Sequence, residues 1–467
     1  PGLLWLCPVA TMEGQGGEAA KKDFPKKPKL TKAERRELQE RQRAAKEAAR
    51  ASSGNSGGGK KGKGADAAKG GGGGGGKKAG GATDAAPSRG PNARGAAGRQ
   101  TPGRHVDPKQ VELFAHLSPF SAPNSHTVGY DVSLNDMHPA VVGLGLQFAD
   151  PTCLTDANDR SLALLRVIQV LVKDYVTPPG KAFQWELLKR VRQAFQFLTD
   201  CRPHSISMGN AMQFVRNAIS SMDPEVGDEE AKDGLCEDID EFIKERITLA
   251  GELIATTASR KIRDGDVILT FSRCPVIERL LRAAKNEGKR FHVVLVDSRP
   301  GQEGRECLKA LAKDSIPCTY VLLNAVSFAM KHVTKVFLEA SAIMSNGAAL
   351  ARIGTAVVAM AANARNIPVI FCCETYKLAD KVQLDSIVSN ELSDPEALVS
   401  GLSGGDELTG WKDIPGLKLL NLRHDLTPIK FVDSVVTEVG MIPPTAVPVL
   451  LREYRRETGA AVKSEVP

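Results

Sequence analysis

Between Asp131 and Lys261 apolar residues recur every three or four positions, and after Asp266 that period gives way to short unbroken apolar runs. Leu162, Leu165, Ile168 and Val172 mark one face of a helix predicted over 156–175. Leu187, Leu188, Val191, Phe195 and Leu198 mark a second over 183–198, and a third is predicted over 207–220. Ile239, Ile243, Ile247, Ala250 and Ile254 keep register through a long fourth, 235–261. Arg263-Asp264-Gly265-Asp266 reads as a turn. Beyond it, strands over 267–271, 291–296 and 319–323 alternate with helices over 275–286 and 305–314, and a helical turn falls at 327–330.

The most informative stretch is Lys335–Lys377. Val336 to Leu338 is an apolar run, Asn346-Gly347 a turn, and Arg352-Ile-Gly-Thr355 opens an Ala-rich helix ending near Asn366. Pro368 then leads into a second apolar run, Val369 to Cys373, so the segment reads as a βαβ unit buried in a parallel sheet. A strand over 414–420 and a closing helix over 427–440, capped by Gly440, complete the pattern. Met441 to Leu451 carries three prolines and reads as non-helical. The predicted fold class is α/β: a helical domain over 131–261, then a Rossmann-like, doubly wound parallel-sheet domain over 262–455, with a short tail at 456–467.

Composition changes the picture mainly at the N-terminal end. Residues 1–105 are low complexity, including seven consecutive glycines at 70–76, and cannot bury enough apolar surface to offset chain entropy. This tail carries 22 Lys and Arg against 9 Asp and Glu, an excess of 13, in a chain whose net charge is +7; the remainder is therefore at −6. A disordered basic tail, joined by a linker over 106–130, is the expectation. Thr31 to Ala51 is a solvated helix within it, started by a Thr31/Glu34 capping box. Weak phosphate contact with RNA is open to the tail, but no aromatic residues are interleaved for base stacking. Met12 is a plausible true start. No run of 18 apolar residues predicts a transmembrane helix. The nine cysteines show no Cys-x-x-Cys spacing and no zinc pattern with the eight histidines, so no metal and no cofactor is expected.

Ligands in doubly wound sheets bind at the carboxyl ends of the strands. Arg273, Arg299, Asn346, Gly347 and Arg352 fall there, and Arg202-Pro203 is expected to open a helix whose N-terminus faces the same crevice. These residues suit a phosphate-bearing ligand; the alternative is that the arginines pair with local acids such as Glu303, Glu306 and Glu374, or face a partner subunit. The loops show no clustered carboxylates and no histidine. Arg166, Lys189, Arg190, Arg192 and Arg216 lie on the amphipathic helices, either as a solvated face or as a surface sensing a partner's phosphate.

Val267-Ile-Leu-Thr270, Val296-Asp-Ser-Arg-Pro300, Asn346-Gly347 with Arg352-Ile-Gly-Thr355, and Leu426-Thr-Pro428 through Gly440-Met-Ile-Pro443 resemble the methylthioribose-1-phosphate isomerase family. That family also holds ribose-1,5-bisphosphate isomerases and the regulatory subunits (alpha, beta, delta) of eukaryotic translation initiation factor 2B. The resemblance covers about residues 131–450. Cys372-Cys-Glu-Thr-Tyr-Lys377, Ser389-Asn-Glu-Leu-Ser-Asp394 and the basic segment KLTKAERRELQERQRAAK are most similar to the delta-type members. In the family's isomerases a Cys and an Asp perform proton transfer; the resemblance places those positions on Ser272 and Ser341. A Ser hydroxyl is too weakly acidic to replace either without an activating base, and Cys274, two residues on, is expected to point elsewhere. The resemblance thus implies a non-catalytic regulatory subunit of a cytosolic guanine-nucleotide exchange factor. Its implied partners are the alpha, beta, gamma and epsilon subunits, with exchange catalysed by epsilon, and translation initiation factor 2 through its alpha subunit, phosphorylated or not. An active sugar-phosphate isomerase is the alternative, and an RNA-binding factor acting through the tail a third reading.

Overall fold

The computed structural model describes residues 109–120, 137–150, 153–223, 226–400, 408 and 410–457. The tail expected over 1–105, much of the linker and the end of the chain lie outside them. The first half of the described residues is helical: α1 (Pro139–Ala149), α2 (Ala157–Lys173), α3 (Phe183–Cys201), α4 (Ile206–Ser221) and α5 (Asp228–Phe242). Polar side chains start several of these helices by accepting an otherwise orphaned backbone N–H: Asp156 from Asn158, Ser205 from Met208, and His138 from Ala140. The predicted apolar faces form one core, with Leu165, Ile168, Val191, Leu198, Met212 and Val215 almost wholly buried. The long fourth helix is interrupted in type rather than in direction. A π-helical stretch, Ile243–Leu249, links α5 to α6 (Ala250–Ser259).

The second half is built on a seven-stranded sheet. Its strands are β1 (Val267–Phe271), β2 (His292–Asp297), β3 (Cys318–Leu322), β4 (Lys335–Glu339), β7 (Val369–Cys372), β10 (Ser434–Thr437) and β11 (Gly440–Ile442), in the order β11-β10-β7-β4-β1-β2-β3. All pairs are parallel except β10–β11. Alternate residues serve opposite faces. Leu269, Val294, Val336 and Phe371 pack with α9 (Thr355–Asn363) and α10 (Val447–Glu457); Ile268, Val293, Phe337 and Ile370 pack with α6, α7 (Pro275–Asn286) and α8 (Gly304–Lys313). Burial on both faces explains why these strands read as unbroken apolar runs rather than alternation. A second, small sheet, β8-β5-β6-β9, is made of β5 (Ala342–Met344), β6 (Ala349–Arg352), β8 (Leu378–Ala379) and β9 (His424–Thr427).

The C-terminal expectations need correction. Ile414–Leu420 is not a strand; a 3-10 turn, Trp411–Asp413, precedes it. The stretch 427–440 is not a helix but the end of β9, a 3-10 turn and β10, because Val435 and Val436 complete the buried sheet beside β7. Gly440 (φ +139°) therefore begins β11 across a tight hairpin instead of capping a helix. Met441–Leu451, read as non-helical, contains the start of α10. Pro443 and Pro444 lie before it, and Pro448 sits in its first turn, where a missing N–H costs little. Likewise the presumed loop between β4 and α9 is a hairpin, β5–β6, and Arg352 ends β6 rather than opening the helix.

Asn346-Gly347 makes the tip of that hairpin. Gly347 takes φ +79°, and a Cβ there would meet the Pro444 carbonyl at 2.9 Å and the Ile429 side chain at 2.7 Å. Gly347→Ala is expected to lower the unfolding free energy by about 1–3 kcal/mol, the cost of a strained left-handed non-glycine residue, in urea denaturation. A midpoint equal to that of the wild type would show that the hairpin accommodates the methyl group by shifting.

Candidate functional site: a crevice at the carboxyl ends of the strands

The crevice forms where β1, β2 and β4 end. Ser272 leaves β1 in the left-handed region (φ +57°), and its N–H donates to the Val296 carbonyl at 2.7 Å. A non-glycine residue held there costs on the order of 1–3 kcal/mol, tolerated because the sheet fixes both flanks. Ser272, Arg273, Arg299, Arg352 and Arg423 line a cavity of about 790 Å³ with the loop after β2. Ser341, just past β4, lines a narrow cleft that shares Arg273, Arg352 and Arg423 with this cavity. The guanidinium groups are not all free. Arg352 is ion-paired with Glu303, and Arg273 lies 4.0 Å from Glu278.

Three of the sequence-predicted residues lie elsewhere. Asn346 holds the hairpin turn, donating to the Gln383 carbonyl at 3.0 Å and accepting from the Ala348 N–H, and Gly347 packs beside it. Arg202 does not open a helix: it ends α3, and α4 begins only at Ile206 under its Ser205 cap. Its guanidinium instead grips the buried carboxylate of Glu391 at 2.6 Å, joined by Arg160 at 3.1 Å and by Arg423 at 3.8 Å. Burial by itself would raise the Glu391 carboxyl, but the three arginines outweigh it and bring it down to about 2. Burial lowers Arg160 and Arg423 to about 10.

The cleft also holds groups that the sequence reading placed outside it. Asp156, Cys274, Glu339 and His424 all line it, which corrects the expectation of no clustered carboxylates and no histidine, and of a Cys274 pointing away. Cys274 caps α7 through its sulfur, which accepts the Ile277 N–H at 3.3 Å. Burial and the neighbouring Glu339 push its thiol well up, so it is not a ready thiolate. Burial also raises the Glu339 carboxyl to about 7, with Lys377 partly offsetting the rise. His424 is pushed down to about 3, chiefly by burial, and stays neutral. Asp156 is committed to capping α2. Glu339 had a sequence signal, a lone carboxylate ending an apolar run. Asp156 and His424 had none, since they arrive from distant parts of the chain.

Behind the cleft, Lys377 is fully buried between two carboxylates, with Nζ 2.8 Å from Glu374 and 3.2 Å from Glu339. Glu374 also accepts from Asn158 of α2 at 2.8 Å, and the Tyr376 hydroxyl donates to the same Asn158. The Tyr376 ring enters the helical core edge-on to Phe242, with centroids 5.9 Å apart. Among the described residues no group of three His, Cys, Asp or Glu side chains is placed to hold a metal ion, and no helix is long and apolar enough to cross a membrane. The five basic residues of the helical half do not converge. Arg166 pairs with Asp240, and Lys189 lies 3.8 Å from Glu186. Lys189 and Arg190 flank one surface hollow, while Arg216 faces a different groove and bonds Gln213. Arg192 is exposed.

Helical and doubly wound parts joined through buried charge thus frame an arginine-lined crevice at the strand ends. The chain belongs to the initiation factor 2 subunit family, whose model matches residues 155–444. It is 41% identical, over 74% of its own length and 74% of the relative's, to the translation initiation factor eIF2B subunit delta of Schizosaccharomyces pombe. A ribose 1,5-bisphosphate isomerase of Thermococcus kodakarensis is 32% identical over 60% of this chain and 85% of that protein. Among solved structures, a chain of the tetrameric eIF2B-beta2-delta2 complex from C. thermophilum superposes with a TM-score of 0.59 at 31% identity, covering 71% of this chain and 99% of that one.

The Glu339 carboxyl makes stability pH-dependent. Its folded value lies above the ordinary carboxylate range, so its contribution is full below about pH 4. That contribution is lost as the pH rises through about 7. Glu339→Gln should flatten the fall in melting temperature measured between pH 4.5 and 7.5. An unchanged slope would show that the carboxyl is already ionised in the folded protein.

Proposed function

We propose that this chain is a non-catalytic regulatory subunit of the guanine-nucleotide exchange factor for translation initiation factor 2, in the position of the delta subunit. Its 41% identity to a delta subunit, against 32% and 29% to isomerases over shorter stretches, is the observation that carries this reading. The chemistry of the crevice supports it. By the family resemblance, Ser272 and Ser341 take the positions of the isomerases' thiol and carboxylate, and the nearby thiol, Cys274, is kept protonated by burial. The chain scaffolds the complex in the cytosol with alpha, beta, gamma and epsilon subunits, and epsilon carries the exchange chemistry. Purification of the untagged complex followed by mass spectrometry should recover those four subunits together with initiation factor 2. Recovery of the chain alone, at the mass of a monomer or simple homodimer, would count against it.

The isomerase reading keeps one supporting observation, the Glu339 carboxyl poised near neutrality in the cleft. It is tied to Lys377, however, and has no thiolate or second ionised acid free to work with it. The purified protein is expected not to turn over methylthioribose-1-phosphate or ribose-1,5-bisphosphate. Turnover that disappears in Glu339→Gln would establish the enzyme instead.

Regulation would act through differential binding of the phosphorylated and unphosphorylated alpha subunit of initiation factor 2. Arg166, Lys189, Arg190, Arg192 and Arg216 are the basic groups of the helical half proposed to meet that phosphate. Because they are spread over separate surfaces, at most one or two act together. Reversing the relevant one to Glu should weaken binding of the phosphorylated factor by about 1–3 kcal/mol while leaving the unphosphorylated factor unaffected. Five reversals with an unaltered affinity ratio would remove direct charge pairing by this chain from the mechanism.

A further inference from the structure

Residues 109–120 lie as a strap on the α/β half. Phe114 and Leu117 are buried, Lys109 Nζ donates to the Ile414 carbonyl at 2.6 Å, and His116 Nε2 lies 2.8 Å from the Ile387 carbonyl. Past Leu117 the chain becomes exposed at Ser118-Pro119. Two other Ser/Thr-Pro pairs occur among the described residues, and both are closed to modification. Thr427 is wholly buried, and the Thr177 hydroxyl donates to Asp228 at 2.5 Å, where a phosphate would face a carboxylate. Ser118 differs on both counts. It is accessible, it lies outside helix and strand, and the following proline biases it toward the extended conformation in which a protein kinase binds its substrate.

Ser118 also lines a groove of about 820 Å³ between the end of α3, α4 and the loops at 379–381 and 389–393. Arg202, Arg216, Lys381 and Arg423 line the same groove, as do Asp200, Asp380 and Glu391. Glu391 is already taken up by its arginines. Two guanidinium nitrogens of the groove-lining arginines remain buried without a partner: Nη2 of Arg202, a residue 5% exposed, and Nε of Arg216. A phosphoserine brings nearly two negative charges and three acceptor oxygens, which suit guanidinium donors that the fold has left unpaired.

We propose that Ser118 is a site of proline-directed phosphorylation and that its phosphate seats in this groove on Arg202 and Arg216, pinning the strap against the helical half. In the reaction, Ser118 Oγ attacks the γ-phosphorus of ATP within a protein kinase. The new O–P bond forms as the bond to the β,γ-bridging oxygen breaks. ADP leaves with that electron pair, and the hydroxyl proton passes to the kinase's general base. The site uses no residue that defines the strand-end crevice except Arg423, and it holds whichever function the crevice serves.

The full chain is incubated with ATP and a proline-directed Ser/Thr kinase that phosphorylates a free peptide of residues 112–124. Phosphate is then located by mass spectrometry. Near-stoichiometric modification of Ser118, reduced at least tenfold by Pro119→Ala, is expected; a folded chain left unmodified at Ser118 overturns the proposal. On the modified protein, the second pKa of the phosphate, ordinarily ~6, should fall by about one unit in a phosphorus NMR titration, as an opposite charge at contact dictates. Amide exchange over 109–117 should slow. Arg216→Gln leaves the Glu391 ion pairs and Arg202 intact and should reverse part, not all, of that fall. An ordinary phosphate pKa with unchanged exchange in the wild type would place the phosphate in solvent and overturn the seating.

Discussion

A buried ammonium, Lys377, anchors the segment through which the α/β half meets the helical half. Lys377 has no solvent exposure, and its charge is tolerable only because Glu374 and Glu339 lie within hydrogen-bond reach. Burial drives the lysine toward the neutral form, but the two carboxylates outweigh it and hold its pKa well up, while the same lysine keeps Glu374 ionised. Removing Lys377 or Glu374 leaves the other as an uncompensated buried charge, which is strongly destabilising, about 3–5 kcal/mol. The group is also directional. Glu374 reaches Asn158 of α2, and Tyr376, between the two charged residues, enters the helical core. The segment after β7 therefore fixes the sheet, the helical half and the floor of the cleft at once.

A second charged cluster does similar work from the other side. Glu391 comes from a long loop, yet it binds Arg160 of α2, Arg202 after α3 and Arg423 before β9. Three cations around one anion leave surplus positive charge in a poorly solvated place. Burial, and after it the neighbouring arginines, lowers Arg160 and Arg423, and nitrogens of Arg160 and Arg202 are left without partners. Between the two clusters lies the cleft, whose titratable groups are nearly all committed to structure. Asp156 caps a helix, Cys274 caps another, Glu339 serves Lys377, and His424 is held neutral. A crevice placed like that of an enzyme is here part of the joint between the halves.

How much of this was legible in the chain follows from the range of the forces involved. Helix faces such as Leu165/Ile168/Val172 and strands such as Val267–Phe271 depend on local period and burial, so they can be read directly, as can the family motifs from Val296-Asp-Ser-Arg-Pro300 to Arg352-Ile-Gly-Thr355. The amphipathic pattern and the change of period after Asp266 determine the order of the two halves and the parallel sheet. Only the tertiary structure decided the remainder. Val435-Val436 is a strand because β7 offers an edge, Pro448 is tolerated because it falls in a helix's first turn, and Asn346-Gly347 serves a hairpin because β5 and β6 pair. The cleft itself gathers Asp156, Cys274, Glu339 and His424 from separate elements. No local pattern records that convergence, because the desolvation and ion pairing that set these groups' charge states exist only once the two halves are packed together.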